Sequence, residues 1–231
     1  MEPTNVPVET VIFDLDGTLA NFNLDFKALR ADVRSYLMRT GVPASVLSVN
    51  ESMFEMLEKA EIFFKNGDKS AYVFEEVRTQ TLAIAEKYEM EAALTTSLQP
   101  GAVETLKELD RMGSKLGLCT TSSEKAAKYI LQRFRIEDFF RVVVSRDQVR
   151  YVKPHVEQFE MALKALSARA EETVIVGDSV VDMQSARELK SIGVGIPTGV
   201  ATVEQLKTHF ANYIITSLTD LPVLIKEINK D

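Results

Sequence analysis

Short apolar runs recur along most of the chain, at residues 8–13, 115–120, 142–145, 173–176, 192–196 and 213–216. Amphipathic segments at 102–112, 123–134, 156–166, 181–189 and 203–210 separate them. Several runs, such as Thr-Val-Ile-Val at 173–176, are Val- and Ile-rich without strict polar alternation. That is the pattern of strands covered on both faces. Strands alternating with helices imply crossover connections, and hence a mostly parallel sheet with helices on both faces.

The rhythm breaks between residues 21 and 98. Phe26, Leu29, Val33 and Leu37 recur at helical spacing, and Gly41-Val42-Pro43 supplies a stop. A second helical stretch carries Met53, Phe54, Met56, Leu57, Ala60, Phe63 and Phe64, ending near Asn66-Gly67-Asp68. A third is expected over 71–90. The Met and Phe cluster reads as the core of this helical unit. Pro100 suits entry into the next helix and marks the return. The expected organisation is an α/β core, Rossmann-like, from residues 1–20 and 99–231, with an α-helical domain at 21–98 inserted after the first strand.

In such a sheet, ligands bind at the carboxyl ends of the strands, so polar residues that follow apolar runs are the ones to inspect. The first strand is followed by Asp14-Leu15-Asp16-Gly17-Thr18. Thr120 and Thr121 follow the second, Lys153-Pro154 lies beyond the third, and Gly177-Asp178 with Asp182 follows the fourth. Carboxylates gathered on one rim disfavour one another as anions, and Lys153 alone is too little counter-charge. An all-oxygen set without His or Cys suits Mg²⁺. The Thr120 hydroxyl, the Lys153 ammonium and backbone N–H groups around Gly17 and Thr121 then remain as donors for a phosphate. Asp is also a side chain that attacks phosphorus, and a second Asp beside it can move the protons. These residue types support phosphoryl transfer through an aspartyl-phosphate.

At these residues the chain resembles the haloacid dehalogenase superfamily of phosphohydrolases. Asp14-Leu15-Asp16-Gly17-Thr18 is similar to its first motif, Thr120 to the second, Lys153-Pro154 to the third, and Gly177-Asp178 with Asp182 to the fourth. The resemblance implies Asp14 as nucleophile and Mg²⁺ ligand. Asp16 is then the general acid/base, binding the metal through its backbone carbonyl. Thr120, Thr121 and Lys153 hold the phosphoryl group, with Lys153 also restraining Asp14. Asp178 ligates Mg²⁺ and Asp182 supports it from behind. The helical insertion corresponds to a cap, as in the branch similar to phosphoglycolate phosphatase. The resemblance makes the substrate a small phosphorylated metabolite. The carboxylate at Asp16 argues against a dehalogenase. A phosphoglucomutase-like transfer is the main alternative, followed by pyrophosphatase and phosphonate hydrolase. The last needs a Schiff-base lysine in the cap, for which Lys27, Lys59, Lys65, Lys69 and Lys87 are present.

Composition narrows the function classes. A net charge of −7 argues against general binding to a nucleic-acid backbone. The single Cys119 excludes an internal disulfide or a cysteine-built zinc site, and reads as an inert buried thiol. His155 and His209, the two histidines, read as surface or packing residues. No apolar run approaches the length of a membrane span, and no leader pattern precedes the first strand. The expectation is a cytoplasmic protein, as monomer or homodimer.

Overall fold

The computed structural model describes residues 7–21, 23–67 and 71–230, so Lys69 and Asp68 lie outside the described residues. It divides into two compact units, Asn23–Thr95 and the remainder, Met1–Phe22 with Thr96–Asp231.

The larger unit is built on a sheet of β1 (Thr10–Phe13), β2 (Lys115–Cys119), β3 (Val142–Val144), β4 (Thr173–Gly177), β5 (Ile192–Gly195) and β6 (Tyr213–Ile214). The order is β3-β2-β1-β4-β5-β6 with every pairing parallel. The α/β expectation therefore holds, and the order reverses on either side of β1, where doubly wound sheets bind ligands. Register sets Ile12 level with Gly117 on one side and with Ile175 on the other. The strand-end residues beyond Phe13, Cys119 and Gly177 are thereby brought to the same edge of the sheet.

Both faces are covered. Ile12, Cys119, Val144 and Ile175 share one apolar cluster with Phe159, Ala162, Leu163 and Leu166 of α6 (Glu157–Leu166) and Ala186 of α7 (Val180–Leu189). On the alternate positions Phe13 meets Phe140 edge to face, with ring centres 6.5 Å apart. The helix α4 (Ala102–Arg111) packs on β2 and on α9 (Leu221–Ile228), whose second residue is Pro222. That short last helix was not foreseen, since Pro222 follows a strand and a turn with little room for a periodic pattern. The remaining helices of this unit are α5 (Glu124–Arg133) and α8 (Val203–Thr208).

The smaller unit holds α1 (Phe26–Arg39), α2 (Met53–Asn66) and α3 (Ala71–Thr95). Leu29, Val33 and Leu37 of α1 are buried with Met56, Leu57, Ala60 and Phe64 of α2 and with Phe74 and Val77 of α3. Asp25 starts α1 by accepting the Ala28 N–H at 2.9 Å. Ser52 and Glu55 exchange bonds at the start of α2, which satisfies two end donors. The third helix runs five residues past the expected end at Met90. Glu91-Ala92-Ala93-Leu94 are good helix formers, and no Gly or Pro intervenes to stop them.

Candidate active site

The chain leaves β1 in a tight turn. Leu15 carbonyl accepts the N–H groups of Leu19 and Ala20, both at 2.9 Å, and Gly17 N–H donates to Ala20 carbonyl at 2.8 Å. Gly17 has φ +90°, and a Cβ there would lie 2.5 Å from Asp178 Oδ2. The residue is therefore glycine for two reasons, a left-handed turn and the close approach of Asp178. Gly17→Ala is expected to cost ~1–3 kcal/mol of stability through the strained backbone alone, and to push Asp178 out of place. Thermal melting together with the metal response described below checks both effects.

Asp14, Asp178 and Asp182 are buried, and each offers an oxygen within 4.8 Å of the others. Lys153, also buried, is the ammonium among them. Its Nζ donates to Asp14 Oδ1 at 2.5 Å, to Asp182 Oδ1 at 2.7 Å and to the Cys119 carbonyl at 3.1 Å. Three acceptors match its three protons. A phosphoryl oxygen that bonds Lys153 must therefore displace one of them, and otherwise feels it as a charge. Asp182 Oδ2 accepts the Ser179 hydroxyl and the Ser179 N–H. Asp178 Oδ1 accepts the Thr18 hydroxyl at 3.2 Å, and its Oδ2 accepts Val200 N–H at 2.8 Å. Asp182 thus anchors Lys153, while Asp178 is framed by the Gly17 turn and the 198–200 loop.

The electrostatics follow from counting charges. Burial pushes the Asp14 carboxyl well above the usual carboxylate range; Lys153 pulls it down, but Asp182, Asp178 and Asp16 push the same way as burial. Burial, then Asp182, also raises Asp178, against the Val200 N–H, Lys153 and Thr18. Burial works against the Lys153 ammonium, yet Asp14 and Asp182 outweigh it and hold the group protonated above its ordinary value. Three carboxylates with one ammonium leave an excess of negative charge in a dry setting. A hard divalent cation relieves such an excess, and the oxygen-only donors suit Mg²⁺. The site residues fit that ion on these grounds.

Asp16 is half-buried, and its Oδ2 accepts the Ser122 hydroxyl at 2.6 Å and the Thr120 hydroxyl at 3.4 Å. Thr120 Oγ1 in turn accepts Ser122 N–H at 3.1 Å. The Thr121 carbonyl faces away and accepts from the buried Arg146 guanidinium at 3.3 Å. Among the described residues the N–H groups of Leu15 and Thr121 make no hydrogen bond. Of the N–H groups around Gly17, that of Gly17 itself is bonded to the Ala20 carbonyl at 2.8 Å.

Other side chains were not singled out from the sequence. Ser122 stands two residues beyond Thr120, and its proximity in the chain was the available signal. Thr198 bonds Gly17 carbonyl at 2.6 Å, and a Cβ on Gly199 would sit 1.8 Å from Asp178 Oδ2. That loop carries no charged residue, so nothing in its composition advertised the role. Cys119 is buried as expected, and burial raises its thiol pKa far above the usual range. His155 is exposed, against the Tyr151 ring at 5.1 Å, and His209 bonds the Gln205 carbonyl of its own helix. In the helical unit Lys27, Lys65 and Lys87 are exposed, and Lys59 pairs with Glu51 at 2.5 Å. None of these four has the buried setting that makes a lysine a Schiff-base nucleophile.

Comparison with known proteins adds to this geometry. Residues 11–194 match the model of the haloacid dehalogenase-like hydrolase family. "Pyrophosphatase PpaX" of Bacillus mycoides is 28% identical over 225 residues, covering 96% of this chain and 99% of that protein. The protein of the same name from Bacillus anthracis is 27% identical over 236 residues, with the same shares covered. Among solved structures, a hydrolase from Pseudomonas syringae superposes with TM-score 0.66 at 24% identity, over 95% of this chain and 99% of the other. A β-phosphoglucomutase from Clostridium difficile gives TM-score 0.61 at 21% identity, over 96% and 97%. These two likenesses establish the shared fold. No helix among the described residues is long and apolar enough to cross a membrane. With the family model spanning most of the sheet and its strand-end acids, the chain belongs to the haloacid dehalogenase-like hydrolases.

Proposed function

We propose that this chain is a Mg²⁺-dependent phosphatase that hydrolyses a small phosphorylated metabolite through an aspartyl-phosphate at Asp14. The observation that carries the reading is the buried Asp14, ion-paired to Lys153 at 2.5 Å, with the Asp178 and Asp182 carboxylates beside it and Asp16 two residues on. Asp14 and Asp178, with the Asp16 backbone carbonyl, are the groups that would hold Mg²⁺, which when bound neutralises the carboxylates and the incoming phosphoryl oxygens.

Asp14 attacks phosphorus with one carboxylate oxygen, forming a new O–P bond as the bond to the leaving oxygen breaks. Asp16 gives that oxygen its proton. Asp16, now ionised, takes a proton from water, whose oxygen attacks the phosphorus and frees inorganic phosphate and Asp14. Thr120 hydroxyl and the N–H groups of Leu15 and Thr121 serve the phosphoryl oxygens, and the Lys153 charge favours the anion in a site of low dielectric. The Ser122 hydroxyl, bonded to Asp16 Oδ2 at 2.6 Å, holds the acid when the Thr120 hydroxyl leaves Asp16 for the phosphoryl group. The helical unit at 21–98 is proposed as the cap that reads the leaving group.

Purified protein with Mg²⁺, set against phosphorylated metabolites, tests the reading through released phosphate. Pyrophosphate heads the panel because full-length relatives carry the name pyrophosphatase. Phosphoglycolate and sugar phosphates follow. An isomerised sugar phosphate without free phosphate would replace hydrolysis by a mutase reading. No turnover of any ester or of an aryl phosphate would overturn both. Metal binding has its own readout. Mg²⁺ at about a hundred times its dissociation constant is expected to stabilise the fold by ~2.7 kcal/mol. For a chain of 231 residues that is a melting shift of roughly 5–10 °C, reversed by chelator.

A further inference from the structure

Gln158 is completely buried on α6 and takes no part in the chemistry described above. Its side chain is nonetheless fully bonded. Oε1 accepts the Lys153 N–H at 3.2 Å, and Nε2 donates to the Thr120 carbonyl at 2.8 Å and to the Val144 carbonyl at 3.4 Å. One carboxamide thus joins the backbone of Lys153 to the backbone of Thr120, two residues 33 positions apart in the chain that no strand pairing connects. Its own carbonyl accepts the Cys119 thiol at 3.5 Å, and Cys119 carbonyl accepts Lys153 Nζ. The Lys153 loop is otherwise an irregular stretch between β3 and α6.

We propose that Gln158 is a positioning residue that sets the spacing between Lys153 and Thr120, and so the geometry with which this site takes a phosphoryl group. A buried amide is costly unless every donor and acceptor is met, and here they are met only by these strand ends and this loop. An apolar side chain of the same size would fill the space and leave the Thr120 carbonyl and the Lys153 N–H without this partner, whereas the Val144 carbonyl keeps the Thr120 N–H at 3.0 Å. The loop then has freedom to shift, which changes how Lys153 Nζ meets Asp14 and Asp182, while Asp178 keeps its bonds to Thr18 and Val200. The inference rests on Thr120 and Lys153 serving the phosphoryl group.

Gln158→Met, compared with wild type, separates this role from a purely packing one. With an aryl phosphate as substrate, kcat/KM is expected to fall roughly 10–100-fold, and the competitive inhibition constant of inorganic phosphate to rise about tenfold, as displacements of order 1 Å do at reacting groups. The Mg²⁺-induced melting shift is expected to persist, since Asp14, Asp16 and Asp178, the groups assigned to the ion, make no bond to Gln158. If Gln158→Met does not fold, Gln158→Glu, of the same size but without the amide donors, is read in the same assays. Wild-type phosphate inhibition and turnover in a folded variant would overturn the inference. Loss of the Mg²⁺ shift in step with activity would overturn it too, by pointing to general damage. A wild type that hydrolyses no phosphate compound removes the functional reading itself, and this inference with it.

Discussion

Asp14→Asn is expected to abolish phosphate release, by on the order of 10⁴-fold or more as with other covalent nucleophiles, while leaving a folded protein. The amide keeps the shape of the side chain but cannot attack phosphorus. The same substitution is expected to raise the melting temperature of metal-free protein. Burial already holds the Asp14 carboxyl well above its ordinary range, with Asp182, Asp178 and Asp16 adding to the push. A carboxyl whose folded pKa exceeds its unfolded value subtracts stability once pH rises through that interval, and a neutral amide removes the penalty. Two measurements check the pair of effects: phosphate release by purified variant with Mg²⁺, and melting of both proteins in chelator at pH 7. Residual wild-type turnover would sink the nucleophile assignment. A lower melting point would show that the Lys153 pairing outweighs the repulsion.

Lys153→Met is expected to be the most destabilising single change in the site. It leaves Asp14 and Asp182 buried without the ammonium they share at 2.5 and 2.7 Å. Removing one partner of a buried pair typically costs ~3–5 kcal/mol, or on the order of 10 °C in melting for a chain of this length. The loss should shrink on acidification. Asp14 and Asp178 are raised in the wild type, and removing Lys153 takes away a contribution that lowers each of them. Protons are then taken up by the folded state before the unfolded one, so stability is regained as pH falls from neutrality toward the ordinary carboxylate value. Melting curves at pH 7 and pH 5 test this, and a deficit that widens at pH 5 would contradict it. Activity should vanish as well, since the positive charge at the phosphoryl position is gone.

Much of the frame was legible without coordinates, for reasons specific to particular segments. The run Val174–Val176 has no polar position, the pattern of a strand covered on both faces as in a layered α/β sheet. Asp14, Thr120 and Asp178 could be assigned to one edge because parallel strands of a doubly wound sheet end together. The helical insertion was visible through Leu29, Val33 and Leu37, which are buried on α1. Gln158 was a missed signal of the same kind. It shares a stripe with Ala162 and Leu166, which puts a polar residue on the buried face of α6. The end of α3 lies five residues beyond Met90, at Thr95, because no Gly or Pro interrupts Glu91 to Thr95.

What the sequence determined alone is the inventory and its edge: which residues end the strands, and that they are acids with one lysine. What only the tertiary structure decided is who meets whom. Lys153 reaches across 139 positions to Asp14 and 29 to Asp182, and Ser122 across 106 to Asp16. Nothing in the local sequence contains those pairings. They follow from strand register, which sets the strand ends side by side, and from loops whose backbone bonds hold each side chain within hydrogen-bond reach. Hydrogen bonds and buried charges act over a few ångströms, so their partners are settled by the packing of distant segments, whereas periodicity is a property of each segment by itself.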